Sequence, residues 1–164
     1  MNKKINKIND SHMWTYLFSR NLKFNRQKMI NSKKISMINH AIWWFSNKRE
    51  IFYYKPDKAK IIYFWQQVVL INKKNYIVGG WHSNTNKINI IYVLYVLKWL
   101  FSYNKKKNQS YDWIAVVKKN NKWILKLILY LGYRYVDKSD ETYNVIKKFF
   151  KVSNKKYFFL KYIH

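Results

Sequence analysis

The chain has 164 residues, of which 49% are hydrophobic, and this composition excludes a disordered tail because so many apolar residues can form a buried core. Its formal net charge of +26 at pH 7 predicts an anionic partner, either a nucleic acid or an acidic membrane surface. The sequence has no cysteine, which excludes disulfides, cysteine-ligated zinc and thiol catalysis.

The residue usage indicates where the protein is made. Lysine outnumbers arginine by 29 to 4, and lysine, asparagine, isoleucine, tyrosine and phenylalanine dominate the chain. These residues have AT-rich codons, as expected of a small organelle genome. The opening residues 1–10 have no apolar run typical of a secretory signal. We therefore predict a mitochondrial, organelle-encoded protein, with a relict plastid as the alternative.

The first half of the chain predicts one extension, two helices and two extended segments. Residues 1–12 read as a basic N-terminal extension, and residues 13–164 as a single domain. Apolar residues at three-to-four spacing predict a helix over residues 32–47. The remaining predictions are an extended aromatic segment over residues 13–21, a buried strand over residues 51–54, and a helix opened by Pro56 that runs to residue 71.

The second half predicts strands that alternate with helices. We expect strands over 76–78, 113–117, 133–136 and 149–152, and helices over 88–103, 122–131 and from residue 154 onward. We expect Gly79 and Gly80 to end the strand 76–78. Gly132 follows the helix 122–131 at the position where a positive φ is common. Such alternation favours an α/β three-layer sandwich, flavodoxin-like, with a mostly parallel sheet of about five strands.

The apolar segment 88–103 allows two interpretations. A membrane span needs roughly 20 apolar residues, and this segment is shorter and contains Lys98 near its middle. A buried helix is favoured, and a small membrane-anchored subunit with a span here is the alternative. Because the helix is apolar nearly all round, we also expect a neighbouring protein to contact it, through Ile91, Leu94, Tyr95 and Trp99.

Candidate catalytic groups are few. The only cluster of acidic residues lies in the segment that contains Asp137, Asp140 and Glu141, and it reads more simply as a turn fixed by side chain to backbone hydrogen bonds. The histidines lack metal-ligand spacing, and no glycine-rich phosphate loop is present. A nucleotide-binding enzyme on the same fold is therefore a third, weaker interpretation.

Several segments together resemble one family, that of the second protein of the small ribosomal subunit. The segment MWTYLFSRN is similar to the motif near the start of that family's domain. The residues at matching positions are Met13, Phe18, Arg20 and Asn21. Trp81 falls where the family has a tryptophan after an extended run. In the closing unit, the matching residues are Leu131, Gly132, Val136, Asp137, Ser139 and Asp140. The sequence departs from the pattern at Gly80 and Arg134, and it lacks room for the family's coiled-coil hairpin.

The resemblance implies a structural constituent of a mitochondrial small ribosomal subunit, at the junction of head and platform. It also implies no enzymatic activity, no cofactor, no small-molecule substrate and no metal, with small-subunit rRNA and other ribosomal proteins as partners. Basic residues interleaved with aromatic ones could neutralise phosphates and stack on bases. The predicted rRNA contacts are Arg20, Asn21, Lys23, Arg26, Lys28, Trp81, His82, Asn84, Thr85, Asn86 and Lys87.

Overall fold

The computed structural model describes residues 4–107 and 111–163, which form a mixed α/β fold with a seven-stranded sheet of order β1-β2-β3-β4-β5-β7-β6. The strands are β1 Ile5–Lys7, β2 Glu50–Tyr54, β3 Ile62–Ile71, β4 Lys74–Ser83, β5 Asp112–Lys118, β6 Arg134–Tyr135 and β7 Tyr157–Tyr162. The helices are α1 Met13–Asn21, α2 Lys23–Arg26, α3 Met37–Ser46, α4 Ile90–Lys106, α5 Lys122–Tyr130 and α6 Glu141–Phe150, and a 3-10 turn covers Asp10–His12.

The sheet is mixed, so the prediction of a mostly parallel, flavodoxin-like sheet of about five strands is wrong. β1 pairs with β2, β2 with β3, and β7 with both β5 and β6, all antiparallel. β4 and β5 are parallel, joined through α4. The broader prediction of an α/β fold is confirmed. The alternation of strands and helices in the C-terminal half predicted a parallel sheet. Strand β7, however, lies between β5 and β6 and runs antiparallel to both.

The first of two compact units comprises Met1–Gln67 and Gly79–Lys106. Its core contains Tyr16, Trp44, Ile51 and Tyr63, which are all buried. Helix α4 packs on the other face of β2 and β3, where Trp99 contacts Phe52 and Phe64. Its buried residues recur at three-to-four spacing and form one stripe, which comprises Val93, Val96, Leu100 and Asn104. This stripe fixes the axial position of α4 and therefore the position of its N-terminus.

A buried polar network fixes the other end of α4. The side chains of Asn104 and Gln66 exchange two hydrogen bonds, of 2.7 and 3.1 Å, and Gln66 Nε2 also donates to the Glu50 carboxylate at 2.8 Å. The Tyr103 hydroxyl donates to the other carboxylate oxygen of Glu50 at 3.0 Å. Buried amides are stable only when their polar atoms are paired, so this network allows one rotational setting of the helix.

The second unit comprises Val68–Val78 and Lys107–His164. Strands β5 and β7 run through its core, where Ile114, Leu160 and Phe159 are buried with Leu127 of α5 and Ile146 of α6. Asp140 caps α6 by accepting from the Thr142 N–H at 2.8 Å. It also pairs with Lys161, whose hydrogen bond is the main reason that the pKa of Asp140 falls to about 2.

Four predicted elements have the wrong type. Residues 13–21 form α1, not an extended segment, and residues 62–71 of the predicted helix are strand β3. Pro56 and Asp57 look like a helix start, but the β-branched and aromatic residues that follow favour a strand. The predicted strand 149–152 includes the end of α6, and the predicted helix after residue 154 is largely strand β7. Residues 5–7, assigned to the extension, form β1.

Other predicted elements are confirmed, with shifted bounds. They are β2, β5, α5 and β6, together with α3, which forms within the predicted helix 32–47. Helix α3 begins after Ser36, whose hydroxyl accepts from the Asn39 N–H, and not after Ser32. Strand β4 continues past Gly79 and Gly80 to Ser83. The segment 88–103 is confirmed as a helix that begins at Ile90, and among the described residues no helix is long and apolar enough to span a membrane.

Two turns depend on backbone conformations with positive φ. Asn72 and Lys73, with φ of 50° and 63°, connect β3 to β4 in a two-residue hairpin turn. Gly132 follows α5 with φ of 97°, as the sequence predicted. A Cβ at Gly132 would lie 3.1 Å from the ring of Tyr162 on β7. Glycine is therefore required at position 132 for both backbone and side-chain reasons.

We expect Gly132→Ala to lower the free energy of unfolding by about 1–3 kcal/mol, since alanine pays for a positive φ and its Cβ crowds Tyr162. Urea denaturation followed by circular dichroism measures the change. The matched control is Lys126→Ala on the exposed side of α5, which should stay within about 0.5 kcal/mol of the parent. Equal effects of the two variants would contradict the requirement for glycine.

Candidate functional site

The C-terminal half of β4 has an edge without strand pairing. β4 pairs with β5 at Tyr76–Asp112 and Ile77–Trp113, both in the second unit. From Gly79, where β4 enters the first unit, no further pairing with β5 exists among the described residues. Gly79 is exposed although β4 is the middle strand of seven. Its backbone is therefore available to an extended ligand, as in the addition of a strand to a sheet edge.

The loop that follows β4, residues 84–89, is held by its own side chains. Asn84 exchanges hydrogen bonds with Ile61, whose N–H donates to Oδ1 at 2.8 Å and whose carbonyl accepts from the Asn84 N–H at 3.1 Å. The Ser83 hydroxyl donates to the Thr85 carbonyl at 2.6 Å, and Thr85 Oγ1 accepts from the Lys87 N–H at 3.2 Å. The loop therefore has a defined conformation although it contains no glycine.

The N-terminus of α4 presents hydrogen-bond donors toward this loop. Asn89 Oδ1 accepts from the Ile91 N–H at 2.9 Å and thereby caps the helix. The N–H groups of Ile88, Asn89 and Ile90 have no protein acceptor within residues 4–107 and 111–163, and all three residues are at least partly exposed. Unpaired N–H groups and the positive end of the helix dipole together favour an anion at this position.

The charge of this segment favours the same ligand type. The sequence has no aspartate or glutamate between Asp57 and Asp112, so β4, the loop and α4 contain basic but no acidic side chains. Lys87 is exposed in the loop, two residues before the helix cap. A phosphate at the α4 N-terminus would thus meet one flexible cation and several backbone donors, without a carboxylate to repel it.

The strand end is anchored in the core by His82. Its Nε2 lies 3.3 Å from the Tyr16 carbonyl oxygen, and its ring contacts the ring of Tyr16 edge-on, with centroids 4.5 Å apart. Burial lowers the pKa of His82 to about 3, so the imidazole is neutral near pH 7 and Nε2 donates its hydrogen. This hydrogen bond connects the end of β4 to helix α1.

A half-buried cation, Arg49, lies in the same aromatic cluster. The Arg49 guanidinium is 3.7 Å from the ring centroid of Trp65 and 5.3 Å from that of Trp43. Burial lowers the pKa of Arg49, while a hydrogen bond with the Tyr16 hydroxyl opposes this shift. Burial also raises the pKa of Tyr16 to about 12. The aromatic faces and the phenol therefore stabilise a charge that would otherwise be costly to bury.

Three predicted rRNA contacts instead hold a neighbouring segment of the chain. Arg20 donates to the carbonyls of residues 31 and 33, and Asn21 exchanges two hydrogen bonds with the backbone of Ile35. Arg26 donates to the carbonyls of Asn21 and Ser32. These side chains fix the connection between α2 and α3, a role that sequence reasoning missed because the partners are backbone groups.

The other predicted contacts differ in exposure. Lys23, Lys28, Asn86 and Lys87 are exposed, Trp81, Asn84 and Thr85 are half-buried, and His82 is buried. The structure brings Trp81 to Lys87 together as the end of β4 and its loop. Helix α2 contacts the same strand end, because Asn25 Nδ2 donates to the Ser83 carbonyl at 2.7 Å. The assignment of individual residues as RNA contacts stays a prediction.

Of the four helix residues predicted to meet another protein, Ile91 and Tyr95 are exposed and lie four residues apart on one face of α4. Trp99 packs against Phe52, Phe64 and Tyr103, with ring centroids 5.0 to 5.9 Å apart, so it belongs to the core. Leu94 is half-buried and Tyr95 contacts Tyr54. Ile91 has 64% of its surface exposed.

The acidic segment after β6 is a turn, as its residue types indicate. Asp137 Oδ1 accepts from the N–H and the hydroxyl of Ser139, and Asp140 caps α6. Within the described ranges, no group of three histidine or acidic residues could hold a metal ion. The β4 edge and the donors of α4 could not be predicted from the sequence, because backbone groups leave no residue-type signal.

Comparison with known proteins identifies the fold. No family model and no curated protein matches this chain. Among solved structures, a domain from Methanocaldococcus jannaschii aligns with a TM-score of 0.72 at 13% identity, over 98% of this chain and 97% of its own. A Salmonella typhimurium protein described as an acetyltransferase, solved with its cofactor acetyl-CoA, aligns with a TM-score of 0.72 at 9% identity, over 99% and 94%. A ribosomal-protein-alanine N-acetyltransferase from Brucella melitensis gives 0.69 at 10%, over 98% and 99%.

These similarities correct the resemblance drawn from short motifs. The chain has the fold of N-acetyltransferases and not that of the second small-subunit ribosomal protein. The predictions of a ribosomal structural role, of rRNA and ribosomal proteins as partners, and of no enzymatic activity and no small-molecule substrate are therefore wrong. The alternative of a membrane-anchored subunit also has no support. The mitochondrial location stays a prediction.

We expect His82 to remain neutral in the folded protein from pH 8 down to about pH 4, because burial keeps its pKa near 3. Its ring resonances, identified by their loss in His82→Gln, should not titrate over this range. Because the unfolded chain takes up a proton near pH 6.5 and the folded chain does not, this group removes about 1.4 kcal/mol of stability per pH unit below 6.5. A titration midpoint near 6.5 would refute the buried, neutral state.

Proposed function

We propose that this protein is an N-acetyltransferase that uses acetyl-CoA. The observation that carries the proposal is the set of unpaired N–H groups at the N-terminus of α4, directly after a strand whose edge lacks a partner from Gly79 onward. This arrangement occurs in a fold shared with solved N-acetyltransferases, one of which contains acetyl-CoA. When bound, acetyl-CoA supplies an acetyl group activated as a thioester.

The donors of α4 suit the diphosphate of this cofactor. The N–H groups of Ile88, Asn89 and Ile90 can donate to phosphate oxygens, and Lys87 adds a positive charge beside them. Asn89 already satisfies the Ile91 N–H, so this donor is not needed for the ligand. The defined conformation of residues 84–89 means that little ordering of the loop is required on binding.

The unpaired edge of β4 suits the remainder of the cofactor. The pantetheine arm is an extended chain with two amide groups, and an exposed strand edge recognises such chains through backbone hydrogen bonds. Gly79 is exposed there and Gly80 is half-exposed, so few side-chain atoms cover the backbone. A Cβ at Gly80 would lie 3.1 Å from the Trp65 indole, which further favours glycine at this position.

Acetyl transfer also needs a neutral amine as the nucleophile. Within β4, the loop and α4, which the structure describes in full, the only histidine is the buried His82 and no carboxylate is present. The chain's contribution in this segment is therefore to bind and orient the cofactor, an effect that can supply much of a catalysed rate. The proton of the acceptor amine would be released before attack, in equilibrium with solvent.

We expect Ile90→Pro to weaken acetyl-CoA binding about tenfold, because it removes one N–H donor to a charged oxygen. Proline is tolerated in the first turn of a helix, so α4 should still form. Lys87→Ala, which removes an exposed charge, should weaken binding by about two- to fivefold. Isothermal titration calorimetry with acetyl-CoA measures both changes.

The control for Lys87→Ala is Lys98→Ala, an exposed lysine within α4 and remote in sequence from its N-terminus. This variant should bind acetyl-CoA like the parent. Circular dichroism checks that helix content is kept in all three variants. If the parent chain binds no acetyl-CoA, or if Ile90→Pro binds as tightly as the parent, the proposed cofactor site is wrong.

The rate of acetyl transfer should depend on pH through the acceptor amine. Because β4, the loop and α4 supply no base, the second-order rate constant should rise with pH until this amine is deprotonated. The midpoint should then follow the amine, near 8 for a peptide N-terminus and near 10 for a lysine side chain. Peptides with a free N-terminal alanine or a single free lysine, assayed by thiol release, test this. One midpoint near pH 6–7 for both acceptors would indicate an enzymatic base instead.

A further inference from the structure

The outer face of α3 is apolar and uncovered. Ile38, Ile42 and Phe45 recur at four- and three-residue spacing on this helix, and their exposed fractions are 74%, 65% and 71%. Met37 at the start of the helix is 52% exposed. A helix face with this spacing usually packs on a core, but here it is turned outward. We refer to Ile38, Ile42 and Phe45 as the α3 outer face.

The protein core does not require this face. The opposite side of α3 is anchored by His40, whose Nε2 lies 3.0 Å from the Met13 carbonyl oxygen, and by Trp44, whose indole donates to Asp10 Oδ1 at 2.9 Å. His40 and Trp44 are buried, and they set the orientation of the helix. Large apolar side chains on the exposed side of an already anchored helix are typical of an interaction surface.

Positive charges flank the α3 outer face. Lys33 and Lys34 precede the helix and Lys48 follows it, and all three are exposed. The sequence contains no aspartate or glutamate between Asp10 and Glu50, so no acidic side chain from this segment offsets them. An apolar helical face with lysines at its margins is the pattern of a helix that lies in the interface of an anionic membrane.

This charge distribution argues against a second copy of the chain as the occupant. A symmetric contact would place the same patch of both copies together, and thus bring Lys33, Lys34 and Lys48 of each copy close to those of the other. Two chains of net charge +26 also repel each other at long range. A stable protein–protein interface uses about 20–30 residues on each side, whereas the outer face has three residues on a ten-residue helix.

We propose that the α3 outer face docks this protein onto an anionic lipid bilayer as a peripheral contact. Ile38, Ile42 and Phe45 enter the boundary between headgroups and acyl chains, while Lys33, Lys34 and Lys48 contact acidic headgroups. No described helix can span a membrane, so the contact lies at one leaflet. The proposal concerns a surface separate from the α4 N-terminus, and it stands or fails independently of acetyl transfer.

Vesicle co-sedimentation of the full chain tests the docking. We expect binding to vesicles of phosphatidylcholine mixed with phosphatidylserine, and about tenfold weaker partition for the double variant Ile38→Ser, Phe45→Ser. The matched control is Leu70→Ser, Tyr130→Ser, which removes two side chains of similar size and exposure, 70% and 72%, from other elements. The control should bind like the parent. Circular dichroism and thermal unfolding establish that each variant is folded.

Other outcomes of this experiment overturn the proposal. If parent and double variant bind equally and high salt releases both, the lysines alone attract the protein and the apolar face has no part. If vesicles do not bind but sedimentation equilibrium shows self-association that the double variant loses, a second copy occupies the face. Equal loss in the control variant would indicate a general effect of surface hydrophobicity.

A site-specific label gives an independent readout. Because the chain has no cysteine, Ile42→Cys provides a unique attachment site for an environment-sensitive fluorophore. Addition of the phosphatidylserine-containing vesicles should shift its emission to shorter wavelength, and the label at Leu70→Cys should not shift. A shift at both positions, or at neither, would contradict insertion of the α3 outer face.

Discussion

The hydrogen bond between neutral His82 and the carbonyl of Tyr16 joins the end of β4 to helix α1, and the geometry of the candidate site depends on it. Both residues are buried, and the low pKa of the imidazole means that this connection carries no charge near neutral pH. A protonated ring at this position would be a buried charge that Arg20 repels. Desolvation thus favours a single protonation state of the core.

From this anchor, the site is built from backbone. Ser83 and Asn84 fix the start of the loop, Asn89 caps α4, and the buried stripe of the helix sets where its N-terminus lies. The groups that suit a phosphate are amide N–H groups and one exposed lysine. A site of this type does not require glycine when its side chains are already directed into local hydrogen bonds. It also does not require a residue that stands out in the sequence.

The elements that could be predicted are those whose conformation is determined by residues close in sequence. Strand β5 is a short apolar run, α5 has a clear apolar stripe, and Gly132 follows the helix at the position that needs a positive φ. The Asp137 to Asp140 turn was also predicted, from residues that bond to nearby backbone. This same turn carried much of the wrong family resemblance, because a turn of this kind recurs in unrelated folds.

The parts that could not be predicted depend on long-range packing. The burial of His40 and Trp44 on α3, which left Ile38 and Phe45 outside, follows from partners in α1 and the 3-10 turn, far away in sequence. Strand β7 lies between β5 and β6, and no periodicity specifies this order. Pro56 locally favours the start of a helix, but the residues that follow it have high β-propensity and form β3. The unpaired donors at the start of α4 are main-chain N–H groups, which every residue except proline possesses.

The hairpin turn at Asn72 and Lys73 has a consequence for how the chain tolerates change in length. It is exposed and polar, as are turns that usually accept insertions. Its two residues, however, set the register of β4 against β3, and side chains on a strand alternate between faces. One added residue that shifted this register would direct His82 out of the core and Trp81 into it. An exposed turn that ends six residues before Gly79 in sequence is thus constrained in length by the strand that follows it.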